Sequence, residues 1–225
     1  MREYQRLTEM GGALSGLMQE LRRLAGLIIP TTRSTPIETV ESVTEFVGTR
    51  AAYVAQTTLY GYMKARMGTS FQRYFEDDDF SATLRIAAVK VAVACVDDLT
   101  IFAIAKATES GKLSRAATCS FALQCYERAL QDIVSEQDRI HIPADAAATF
   151  QLRVQATDWV KAADRDYSFV RSPEALVRYA PVVEEFMHDD SEIVGNSIRF
   201  RWIEIRKALT QRMDADAVCR DWLDT

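Results

Sequence analysis

The stretch VAVACVDDLTIFAIA, Val91 to Ala105, sets the tightest limit on what this chain can fold into. A buried strand runs for about 4–8 residues, and a membrane span needs roughly 18 uninterrupted apolar ones. This run is too long for the first, and Asp97 and Asp98 break it before it reaches the second. Lys90 and Lys106 close it off on either side. The remaining solution is a helix packed on most of its sides by other elements. A chain of 225 residues has the length to bury such a helix.

The two acids do not share a face, because neighbours on a helix sit about 100° apart. Asp97 falls in a stripe with Thr83 and Lys90, which points to solvent or a polar seam. Asp98 falls among Ala87, Val91, Ala94, Ile101 and Ala105, small apolar residues that let another helix come close. An ionised carboxylate there needs a partner, or its pKa rises until it takes a proton. The preceding helix offers a candidate. Val40, Val43, Val47, Val54 and Gly61 make its apolar stripe, and Arg50 falls inside it. Arg suits a buried carboxylate through paired hydrogen bonds. The expectation is therefore a contact between Arg50 and Asp98, with Tyr53, Thr57 and Tyr60 near its rim.

Helical spacing recurs along the chain. Leu7, Met10, Leu14, Leu17, Leu21, Leu24 and Ile28 alternate in steps of three and four, a heptad pattern. Gly11, Ala13, Met18, Ala25 and Leu27 flank it, so the apolar face is wide and suits burial among several helices better than a lone dimer seam. Four glycines in the segment, Gly11, Gly12, Gly16 and Gly26, each cost about 1 kcal/mol in a helix interior, so it depends on packing. Contact with a membrane surface by residues 1–29 is the least favoured use of this face.

Pro30 to Pro36 reads as a loop, with Thr35 capping the next helix, Pro36 at its first position and Glu38 completing a capping box. That helix runs to Met67 and stops at Gly68. Asp79 or Ser81 caps the helix holding the opening stretch, which ends near Gly111. Ser114 opens another to Glu136, and Pro143 one to Asp164. Ser172 and Pro173 read as a cap and first turn, with Pro181 placed to kink the helix. Ser191 opens a helix to Met213, and the last residues form a short one. The alternation in SIRFRWIEIRK also fits a helical stripe of Ile193, Ile198, Trp202, Ile205, Leu209 and Met213, which is preferred because no partner strand is evident. The fold class is all-α: a single multi-helix bundle of about seven helices with no sheet. It forms one domain over residues 1–225, with the heptad-patterned segment at 1–29, central helices at 37–67 and 81–108, and C-terminal helices over 143–225.

No motif names a reaction. The chain lacks a glycine-rich phosphate loop and a GxSxG elbow. Glu185 and His188 have the ExxH spacing of carboxylate-bridged di-iron bundles, but His141 is the only other histidine, so neither a metal nor a cofactor is expected. Asp77, Asp78 and Asp79 read as an acidic helix start. Cys95 and Cys119 read as small buried hydrophobes, and none of the four cysteines has a metal spacing. A cytoplasmic setting follows as the default, and the mixed charges of MREYQRLTEMGG do not read as a signal peptide. A net charge of −5 argues against a nucleic-acid binder.

Two functional expectations result. The first is an intracellular helical protein acting by protein–protein contact, as an adaptor, regulator or assembly factor and a homodimer. Arg199, Arg201, Trp202, Arg206 and Lys207 are its candidate partner-binding residues. The alternative is a small anionic-ligand binder or enzyme with a polar pocket between helices 37–67 and 81–108, where Arg50 anchors an anion and Asp98 is the ionisable group. A cavity beside Arg50 and Asp98 favours the alternative; a closed pair favours the first.

Overall fold

The computed structural model describes residues 35–68, 77–164, 166–182 and 184–225, with the backbone alone for 184–189. The heptad-patterned segment 1–29 lies outside the described residues. Among those described, eight α-helices and one 3₁₀ turn form and no strand does: α1 Val40–Met67, α2 Asp78–Ala107, α3 Arg115–Ile133, the 3₁₀ turn Glu136–His141, α4 Ala146–Ala156, α5 Trp159–Ala162, α6 Arg171–Tyr179, α7 Glu184–Arg212 and α8 Ala215–Leu223. The all-α class holds, with about two more elements than the sequence indicates.

The apolar run places α2 at the centre. Nearly every residue from Cys95 to Ala107 is buried, and α1, α3, α4, α5, α6 and α8 all pack against it. Small residues permit this crowding. A methyl group at Gly48 of α1 would stand 3.1 Å from Ile133 Cγ2 and 3.4 Å from the Ala129 carbonyl of α3, so these helices meet almost backbone to backbone. Val40, Val43, Val47 and Val54 are buried as the α1 stripe requires, whereas Gly61 is exposed.

Helix ends differ from the sequence reading where a hydroxyl or carboxylate finds a better donor. Thr39, not Thr35, caps α1, and the Ser42 hydroxyl gives the reciprocal half of the box expected of Glu38. Residues before the cap are held away from the helix: Ile37 N donates to Arg212 O (2.8 Å), Asp214 N donates to Ile37 O (2.9 Å), and Arg212 Nε donates to Thr35 O (2.9 Å). This strap ties the first described residues to the C-terminal end of α7. Asp77 caps α2 in place of Asp79 or Ser81. Gly68 and Gly111 take positive φ, the first ending α1 and the second turning the chain after α2 has already stopped at Ala107. Ser114 caps α3 as expected.

The helix read as 143–164 is two, because Arg115 Nη2 draws off the carbonyls of Gln155 and Thr157. α6 ends at Tyr179, so Pro181 lies beyond it and kinks nothing. α7 begins at Glu184, which puts Ser191 inside the helix. SIRFRWIEIRK is helical, with Ile198, Trp202, Ile205 and Leu209 buried. Val194 rather than Ile193 completes that seam. No described helix is long and apolar enough to cross a membrane.

Candidate functional site

Asp98 is fully buried and does have an arginine partner, but it is Arg153 of α4 and not Arg50. Arg153 Nη1 donates to Asp98 Oδ1 at 2.8 Å and to Asp97 Oδ1 at 2.5 Å, and Nη2 donates to Ser168 O at 2.6 Å. One guanidinium thus joins both acids of α2 to the turn before α6. The polar seam expected of Asp97 is this contact.

The remaining acceptor capacity of Asp98 goes to the start of α6. Arg171 N donates to Oδ1 (3.1 Å), while Ser172 N (2.7 Å) and Ser172 Oγ (2.6 Å) donate to Oδ2. Ser172 therefore does not cap α6 from its own chain position. Val170 stands at the cap with no side-chain bond, and a carboxylate from another helix satisfies the first amides. Ser172 Oγ also accepts a bond from Trp202 Nε1 (3.0 Å), which carries the network to α7. The Trp202 ring packs on Phe169 at 4.9 Å between centroids.

Two buried carboxylates share one guanidinium, so the group holds a surplus negative charge that Arg171 offsets in part. Burial pushes Asp97 from its ordinary value to about 6, with Arg153 opposing and Asp98 reinforcing the rise. Burial also pushes Asp98 upward, against the pull of Arg153 and Ser172. Both Asp98 oxygens already accept two donors each, which leaves a proton no acceptor to point at. Asp97, which accepts only one bond, is the carboxylate with room to take a proton.

The other nominated residues lie elsewhere. Arg50 is half-buried with its guanidinium 5.7 Å from the Phe46 ring centroid; burial first, and the Arg50 charge second, lower the pKa of Arg212. The aliphatic stem of Arg50 lets it occupy an apolar stripe while its head leaves the core, which the stripe pattern does not distinguish from burial. Thr57 Oγ1 donates to Tyr53 O within α1, and burial raises the pKa of Tyr60. None of these bonds Asp98. Trp202 is buried against Phe169 and presents no surface of its own. Arg206 is held by Asp166 at 2.7 Å over the Phe169 ring. Arg199, Arg201 and Lys207 are exposed. The Glu185 and His188 side chains lie outside the described set, and no described group of three His, Cys, Asp or Glu residues could hold a metal.

Arg153 and Ser168 were missed. The one sequence signal for Arg153 is its position on a short helix beside the buried pair Phe150 and Val154, which brings its stem to the core edge. A cleft of about 480 Å³ opens beside the network between α4 and α6, lined by Leu152, Arg153, Ala156, Val170, Arg171 and Glu174. Its charged lining is Arg153, Arg171 and Glu174, and Arg153 is already engaged by Asp97 and Asp98. No protein-family model, curated protein or solved structure matches the chain.

Proposed function

We propose that the chain works by protein–protein contact, as a self-associating helical protein of the adaptor, regulator or assembly class, and that the outward face of α7 is the contact surface. The observation carrying this reading is a stripe opposite the buried seam. Ile193, Phe200 and Ile203 are 71%, 66% and 51% exposed, and on a helix they fall within about an 80° arc. Single exposed hydrophobes are ordinary, but aligned ones mark contact sites. Exposed Arg199 and Arg201 lie on either side of the stripe and Lys207 at its C-terminal end, a charged rim. The buried acids support the same reading, since Asp98 is spent on tying α2, α4, α6 and α7 together and does not line the cleft between α4 and α6. Four unpaired cysteines suit a reducing, cytoplasmic setting.

Sedimentation equilibrium on the full chain tests this. The wild type is expected to sediment as a dimer in the micromolar range, and the double substitution Phe200→Asp with Ile203→Asp as a monomer of unchanged helix content. A wild-type monomer throughout that range, or a dimer indifferent to both aspartates, overturns the reading.

A further inference from the structure

The cleft between α4 and α6 is built from one face of each helix. Thr149, Leu152, Arg153 and Ala156 follow the i, i+3, i+4, i+7 spacing on α4, and Arg171 and Glu174 stand at i and i+3 on α6. Its volume of about 480 Å³ lies within the range of small-molecule sites. Two of its walls are apolar side chains that the fold leaves uncovered, Leu152 at 67% and Val170 at 47% exposure.

The charged groups of the cleft have capacity that the fold does not use. Arg153 carries five N–H donors, of which three go to Asp97, Asp98 and Ser168. Arg171 and Glu174 are exposed, and among the described residues neither side chain forms a hydrogen bond or an ion pair. Their spacing on α6 allows a pair, yet the two do not meet. The backbone offers no site of its own. Asp98 takes the amides of Arg171 and Ser172, and Pro173 has none.

Charge then decides the class of ligand. Asp97 and Asp98 outnumber Arg153, and Glu174 matches Arg171, so the surroundings carry no net positive charge to draw a phosphate or a dicarboxylate. A simple cation meets Arg171. A small molecule with one charge of each sign finds an unspent partner for both and leaves the local balance as it was.

We propose that the cleft between α4 and α6 binds a free apolar α-amino acid, its carboxylate on Arg171 and the spare donors of Arg153, its ammonium on Glu174, and its side chain against Leu152, Ala156 and Val170. The site does not depend on the contact role given to α7.

A chemical-shift titration of the full chain with L-valine, L-leucine and L-phenylalanine tests this. At least one of the three is expected to saturate its shifts with a Kd below about 10 mM. Three analogues of the tightest binder separate the contacts: its primary amide lacks the carboxylate, its deamino acid lacks the ammonium, and L-serine lacks the apolar side chain. Each should bind at least about 10-fold more weakly, because a charge or an apolar wall loses its partner. Arg171→Gln and Glu174→Gln should each weaken the tightest binder by at least about 3-fold, with an unchanged far-UV spectrum, since both side chains are exposed. No saturation by any of the three amino acids overturns the proposal. So does a smaller gap for any analogue or a smaller loss in either variant. The analogue comparison needs the wild type alone, so it decides the matter even where a variant folds poorly.

Discussion

Asp97 and Asp98 are adjacent in sequence and share one arginine, yet replacing each by Asn is expected to move stability in opposite directions. Asp98 uses both oxygens, each taking two donors. An amide has one acceptor oxygen, so in either orientation its NH₂ faces two donors that have lost their acceptor. Each buried donor left without a partner costs about 1–3 kcal/mol, so Asp98→Asn should lose at least about 2 kcal/mol. Asp97 accepts only from Arg153 Nη1, which Asn can still satisfy, and the exchange removes the surplus charge. With the folded pKa raised from 3.8 to about 6, the ionised form costs up to about 3 kcal/mol at pH 7.

The native state holds the Asp97 proton more tightly than the unfolded chain does. Its contribution therefore grows more favourable as pH falls through 6 toward 4, the reverse of an acid held by a salt bridge. Urea melts at pH 7 and pH 5 follow both substitutions. Asp97→Asn should be more stable than wild type at pH 7, and that advantage should shrink by roughly 1 kcal/mol at pH 5. A loss of more than about 1 kcal/mol in Asp97→Asn at pH 7, or an advantage independent of pH, would refute the assignment of the proton to Asp97.

Two further substitutions probe the same account. Arg50→Ala should cost less than about 1 kcal/mol in a thermal melt, because its head lies over Phe46 and not against a buried acid; a loss of about 3–5 kcal/mol would mean that it holds a buried charge after all. Trp202→Phe should cost about 2 kcal/mol, from the lost bond to Ser172 and the space left beside Phe169, and an unchanged melting temperature would remove α7 from the network.

The helical class was legible because the Val91–Ala105 run, the α1 stripe and the α7 seam all follow one period. That Asp98 needs a cation was legible too, since it rests on a single helix's wheel. Which cation answers it was not. Arg50 and Arg153 both lie beside apolar residues at helical spacing, and long aliphatic stems allow either head to face inward or outward. The decision belongs to the packing of α4 against α2, a long-range fact that no local window contains. Ser172 fails for a related reason. Before Pro173 it has every feature of a cap, but a carboxylate from α2 reaches the same amides and offers two acceptors where a hydroxyl offers one.

That substitution of a distant cap for a local one bears on how the fold holds together. α6 has nine residues, a length at which an isolated helix is marginal in water. Without a side-chain cap of its own, its first amides are satisfied only once α2 is in place, and the same carboxylate is neutralised only once α4 brings Arg153. Formation of α6, docking of α4 and burial of Asp98 are thus one event. Trp202 reads that event through Ser172, which ties α7 to it. The position of the α7 outer face, and with it the geometry of any partner seated there, is in this way set by a carboxylate at the centre of the molecule.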